Sequence, residues 1–287
     1  MKYEYKSILA PVIESFIDMK HKLGFKYASE SKLLRRVDRL ALNHRLDNII
    51  LLEDFVNEFI RKHANEKDIN ITSRVTVIRE LARFIIAQGY KAYVVPPLPR
   101  GSYRSSFVPY IFTNEELKRI FLAADKFASS LSLDKHYYHQ RDKYPVIFRI
   151  LYSTGMRIGE VLQLQLQDID FERKTFMIKE AKNNKDRIIP VHPVTIKYMK
   201  DYIGKKNIFD DNQYVFTNRD DQPITTSTVY GIFRKVLRIA GIPHAGKSKG
   251  PTVHSFRHTF CVHRLRDWVI DGRDISALFP YLCAYMG

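Results

Sequence analysis

Arg157 lies in LYSTGMRIGEVLQL, with Ile150 and Leu151 before it and Ile158, Val161 and Leu162 after it. An arginine between apolar stretches needs an anion, either a protein carboxylate, for which Glu160 is the near choice, or a ligand. His254 and Arg257 stand three residues apart in PTVHSFRHTFCVHRL. That spacing puts both on one helix face, where both can point at one phosphate. The alternative is that His254 caps the helix start after Thr252 and Arg257 makes an ordinary ion pair. Lys182 precedes Asn183 and Asn184, turn residues that set it near a hairpin tip, as a solvated cation or a catalytic one. His136 and His139 in KHYYHQRDKYP are polar and loop-like with no carboxylate motif beside them, so no metal and no cofactor is expected.

These side chains need elements to hold them. Residues 110–287 read as mixed α and β. Helices are expected at 114–127 and 145–153, the first opened by a T-x-x-E capping box at Thr113 and Glu116. Thr154 and Gly155 interrupt the helical pattern just before Arg157. Residues 168–191 read as short antiparallel strands with a turn at 182–186. This places Lys182, Lys185 and Arg187 on or beside a hairpin and Lys179 on the strand before it. A helix near 193–203, a short strand at Tyr214–Thr217 and two or three helices from about residue 227 onward complete this part.

Residues 1–92 have a different rhythm. Apolar stripes at Leu9–Ile17, Leu33–Ala41, Leu52–Ile60 and Val75–Ile85, with stops at Gly24 and Gly89, predict four amphipathic helices in a bundle. Arg74, Arg79 and Arg83 fall on or near the polar side of the fourth, as phosphate contacts or as a solvated face. Residues 93–109, YVVPPLPRGSYRSSFVP, hold four of the 12 prolines and read as an extended linker, made basic by Arg100 and Arg104.

Lys and Arg number 47 against 31 Asp and Glu, a net charge of +16, which favours a polyanionic partner such as nucleic acid. The excess is spread, 17 against 12 in residues 1–95 and 30 against 19 in residues 96–287, so it is neither a detachable tail nor one basic membrane-binding helix. The two cysteines, Cys261 and Cys283, exclude a disulfide framework and a Cys-rich zinc site. No signal peptide and no membrane-spanning apolar run is evident, and the expected compartment is the cytoplasm.

TGMRIGE at 154–160, AKNNKDRIIPV at 181–191 and HSFRHTF at 254–260, in that order in a basic two-part chain, resemble the tyrosine recombinase (phage integrase) family. The stretch at 214–242 also resembles the family's approach to its H-x-x-R. The resemblance implies a four-helix DNA-binding (SAM-like) domain at 1–92, a linker at 93–109 and a mainly helical catalytic domain with a small antiparallel sheet at 110–287. It implies breakage and rejoining of double-stranded DNA through a 3′-phosphotyrosine, without metal or ATP. Arg157 and Arg257 then match the two phosphate-binding arginines, Lys182 the lysine that protonates the leaving 5′-oxygen, and His254 a histidine that hydrogen-bonds the phosphate. His258 is read as support. Lys185, Arg187 and Lys179 are runner-up hairpin cations. Arg74, Arg79, Arg83, Arg100, Arg104, Lys185 and Arg187 are the DNA-binding candidates.

The sequence departs from the family pattern at its end. LFPYLCAYMG resembles the helix leading into a Gly-His (or Trp) element, with the nucleophilic tyrosine some residues beyond. Tyr281 and Tyr285 precede that glycine in an apolar helical pattern and read as packed aromatics rather than nucleophiles. The expectation is a truncated recombinase that binds DNA without cleaving it and is a monomer in solution, although the family forms tetramers on DNA. A non-catalytic accessory factor or inhibitor on the same fold, and a type IB topoisomerase, are the alternatives. The target sequence is not legible.

Overall fold

The computed structural model describes residues 3–64, 66, 68–98, 108–130, 141–179, 186–244, 246 and 250–287. The chain divides into two compact units, Met1–Phe107 and Val108–Gly287.

The first unit contains α1 (Ala10–Lys22), α2 (Ala28–Asn43), α3 (Glu53–Ile60) and α4 (Asp68–Ala87). Each buries the stripe that its periodicity marks out, and Ile13, Leu34, Val37, Val56, Ile78, Leu81 and Ile85 are fully enclosed. Gly24 ends α1 at φ +85°, a left-handed turn that glycine adopts without a Cβ penalty. Periodicity did not anticipate two short parallel strands, β1 (Ile50–Leu51) and β2 (Lys91–Ala92), which close the bundle. Residues 93–98, expected in the linker, belong to this core. Val95 is buried, and Tyr93, Val94 and Leu98 pack against the same cluster.

The second unit is built around α6 (Lys143–Thr154), an almost fully buried helix between α5 (Asn114–Ser129), α8 (Pro193–Lys206) and α10 (Ser255–Ile270). The expected capping box is formed: Thr113 Oγ1 accepts from Glu116 N, and Glu116 Oε2 accepts from Thr113 N. After α6 come α7 (Ile158–Leu162) and a three-stranded antiparallel sheet in the order β3 (Ile169–Asp170), β4 (Thr175–Ile178), β5 (Arg187–Pro190). Helices α9 (Thr226–Ile239) and α11 (Ile275–Met286) complete the unit. Tyr214–Thr217 is not a strand. Among the described residues, the segment makes isolated bridges from Tyr214 to Gln165 and from Thr217 to Pro223 rather than a ladder, with Val215 and Phe216 both buried. An aromatic cluster of Phe112, Phe148, Phe233 and Phe256, with neighbouring ring centroids 5.3 Å apart, fills the centre.

Candidate functional site

The sequence V-H-S-F-R-H-T-F sorts itself by burial. Val253, Phe256 and Thr259 are at 0–1% exposure and anchor the start of α10 in the core. Thr259 Oγ1 also accepts from Phe112 N at 2.9 Å. That anchoring turns His254, Arg257 and His258 toward the other side of the helix. His254 occupies the N-cap position but makes no side-chain cap; Ser255 Oγ accepts from Thr252 N instead. The capping reading of His254 is therefore set aside. The rings of His254 and His258 meet edge to face at 4.7 Å.

Gly155 brings the second motif to the same place. It follows α6 at φ +62°, and a Cβ there would lie 2.6 Å from Phe260 Cδ1 on α10. The turn thus needs glycine for its backbone and for close packing. Its carbonyl accepts from Arg257 Nη1 at 2.8 Å. Two residues on, Arg157 is the N-cap of α7, and Glu160 reaches back to accept from Arg157 N at 2.9 Å.

Three guanidinium groups converge here. Arg157 Nη1 donates to Glu160 Oε1 at 2.9 Å. Arg187 Nη1 and Nη2 donate to Glu160 Oε1 and Oε2 at 3.1 and 2.8 Å. The C-terminal carbonyls of α11 accept the remaining edges: Tyr285 O from Arg187 Nε, Met286 O from Arg257 Nη2 and Gly287 O from Arg157 Nη2. The negative end of a helix dipole faces the cations, a favourable placement. Among the described residues, one side-chain carboxylate stands among three guanidiniums, which leaves a cationic surplus. Burial pushes the Glu160 pKa up, but the hydrogen bonds from Arg187 and Arg157 outweigh it and hold the group below its usual value. Partial desolvation, together with His258, Arg257 and Arg157, lowers the pKa of His254. Burial and Arg257 do the same for His258.

The expected residues fare unequally. Arg157, His254 and Arg257 are brought together. Lys182, Lys185, Arg100 and Arg104 lie outside the described residues, as do His136 and His139. Lys179 pairs with Asp168 at 2.6 Å and does not join the arginine cluster. Two DNA-binding candidates require correction. Arg74 is 1% exposed, paired with Glu66 and donating to the carbonyls of Ile60 and Arg61, so it holds the chain before α4 and presents nothing to a ligand. Arg187 is no surface cation of a hairpin; it is clamped inside the cluster, with its side chain 13% exposed. On α4, Arg83 is exposed and Arg79 half-buried. Tyr285 stacks on Phe260 and donates to Pro190 O, and burial raises its pKa to about 12. Tyr281, expected to be packed, is instead 73% exposed, on the outer side of its helix.

The first unit carries a basic cleft that the sequence reading passed over. Arg36, Arg39, Arg61, Lys62 and His63 line it where α2 and α3 end. Glu58 on its wall is bonded to His44 at 2.7 Å. The signal was present as R-R-x-x-R at 35–39 and R-K-H at 61–63.

A mainly helical unit with a three-stranded antiparallel sheet is the fold expected of the recombinases that the motifs resemble. The sequence profile of the Phage integrase family matches residues 111–279, and the chain belongs to that family. Among its relatives, the protein y4rB of Sinorhizobium fredii, named for the integrase/recombinase class, is 25% identical over 290 residues, covering 98% of this chain and 89% of its own. The tyrosine recombinase XerC of Chlamydia trachomatis serovar D is 27% identical over 81% of this chain and 67% of its own. Among solved structures, a lambda integrase (residues 75–356) dimer bound to a COC′ core site superposes with a TM-score of 0.61 at 15% identity, covering 97% of this chain and 94% of that one. The Tn1549 transposon integrase in complex with a circular-intermediate DNA gives 0.59 at 17% identity, over 96% and 94%. These structural likenesses describe the fold.

Proposed function

We propose that this chain binds duplex DNA and acts in site-specific strand exchange of the tyrosine class. The observation that carries the reading is the sharing of the Glu160 carboxylate by Arg157 and Arg187, with Arg257 beside them on the carbonyls of Gly155 and Met286. Such a surplus suits the extra negative charge that builds on the nonbridging oxygens when phosphorus is attacked. Arg157 and Arg257 would exchange the carbonyls of Gly287 and Met286 for those oxygens, and planar guanidiniums suit bidentate contacts. His254 would donate to the phosphate, and its lowered pKa lets the bound anion raise it. Lys182 would protonate the leaving 5′-oxygen. A tyrosine hydroxyl would displace that oxygen and conserve the bond energy as a 3′-phosphotyrosine.

Tyr285 of α11 does not fit the nucleophile, since it is occupied in packing against Phe260 and donates to Pro190 O. The described residues supply the phosphate grip. The first unit would hold the duplex by its backbone through Arg36, Arg39, Arg61 and Lys62, with Arg79, Arg83, Arg100 and Arg104 as further candidates. We expect a monomer in solution that assembles on DNA, acting in the cytoplasm without metal or cofactor. Gel shifts across a salt series test the binding. Affinity should fall steeply, with a log–log slope near −0.9 for each phosphate neutralised on B-DNA. Affinity indifferent to salt would contradict the proposal.

A further inference from the structure

Arg187 opens β5, whose residues alternate: Arg187 and Ile189 turn inward, Ile188 and Pro190 outward. It pairs in register with Ile178 of β4, so it sits at the base of the segment whose residues include Lys182. Its guanidinium uses both Nη groups on Glu160, 27 residues earlier, and its Nε on Tyr285 O at 3.1 Å. A Cβ on Gly287 would lie 2.9 Å from Arg187 Nη1 and 3.0 Å from Cζ, so the guanidinium lies against bare backbone at the end of α11. Glu160 accepts two N–H groups from Arg187 and two from Arg157. Without Arg187, half of that carboxylate would be left for Arg157 alone, and Arg157 would be drawn into an exclusive pair instead of offering its Nη2 edge.

We infer that Arg187 is a positioning residue for the phosphate grip. Through Glu160 it fixes the orientation of Arg157, and through Tyr285 O and the β4–β5 register it ties the end of α11 and the paired ends of β4 and β5 to the same frame. The inference rests on the reading of Arg157 and Arg257 as phosphate-binding. Lysine cannot substitute, because the role uses a planar fork and a third N–H in fixed geometry.

The test is NMR of the arginine Nε–Hε groups in the full chain, titrated with inorganic phosphate, for wild type, Arg187→Lys and Arg187→Gln. In the wild type, the Arg187 guanidinium should rotate slowly about its Cζ–Nε bond, and the Arg157 and Arg257 signals should move with phosphate. In both variants the Arg157 signal should shift in the free protein and phosphate affinity should fall about tenfold, the loss expected of a charge-assisted hydrogen bond. Arg187→Lys should keep the wild-type melting temperature within a few degrees while still losing the Arg157 signature, which a purely structural role would not predict. Freely rotating Arg187 in the wild type overturns the inference even if neither variant folds. Variants with an unchanged Arg157 signal and unchanged affinity also overturn it, leaving the phosphate reading intact. Wild-type Arg157 and Arg257 signals that ignore phosphate overturn both.

Discussion

Replacing Gly155 with alanine probes the joint between the two arginine motifs. At φ +62° an alanine pays the left-handed penalty of about 1 kcal/mol. Its Cβ would also stand 2.6 Å from Phe260 Cδ1 and 3.1 Å from Met286 Sδ, contacts that the packed side chains must yield to. Overpacking of this kind costs about 1–3 kcal/mol. The sum, about 2–4 kcal/mol, corresponds to a drop of roughly 5–15 °C in melting temperature for a unit of this size. Trp268 is the sole tryptophan and packs on the Phe260, Leu282 and Met286 cluster, so its fluorescence reports unfolding at the affected joint. Gly272→Ala is the matched control: φ is +65°, but nothing lies within 4 Å of its Cβ, so only the backbone penalty of about 1 kcal/mol applies. Because Gly155 O accepts from Arg257, the variant should also weaken DNA binding in proportion to how far α10 shifts. Equal stability of the Gly155→Ala and Gly272→Ala proteins would refute the close-packing argument.

Four further outcomes are expected. Arg74→Ala should destabilise the first unit and leave the salt slope of DNA binding unchanged; a slope smaller by about one would return Arg74 to the DNA surface. The hydrogen bond from Arg74 holds the Glu66 carboxyl at about 2, below its ordinary 4.5. That stabilisation is present above pH 4.5 and is lost as pH falls toward 2, so acid unfolding should begin nearer neutrality in Arg74→Ala than in the wild type; identical acid curves would count against the pair. Because His254 and His258 titrate below 6.5 when free, phosphate binding should take up protons and DNA affinity should rise as pH falls from 7 through that window; calorimetry in buffers of different ionisation enthalpy showing no uptake would contradict this. On a nicked suicide duplex, a polypeptide of residues 1–287 should form no covalent adduct, and an adduct abolished by Tyr285→Phe would reassign the nucleophile.

Much of the second unit was legible because its signals are local. The Thr113–Glu116 box, the H-x-x-R spacing and the Gly155 turn each act within four residues, and the structure realises all three. What was missed depends on distant partners. Arg74 reads as a polar-face cation until the chain before α4 brings Glu66 against it, eight residues away. Arg187 reads as a hairpin cation, although strand alternation with buried Ile189 already placed it on the inner face. Only the fold shows that Glu160 is waiting there. The basic cleft of the first unit escaped notice because its cations come from the ends of two helices, 22 residues apart from Arg39 to Arg61. The strand expected at Tyr214–Thr217 forms isolated bridges instead, because its partners, Gln165 and Pro223, come from two different loops.

Arg157 and Arg257 are proposed to grip one phosphate of a DNA duplex. That grip is tested by a double-mutant cycle on a duplex chosen by in vitro selection, in which single phosphates are replaced in turn by neutral methylphosphonate and each duplex is bound by wild type, Arg157→Ala and Arg257→Ala. The account predicts one position where neutralisation weakens the wild type by about tenfold or more and costs the two variants little further. Losses that simply add at every position would contradict it.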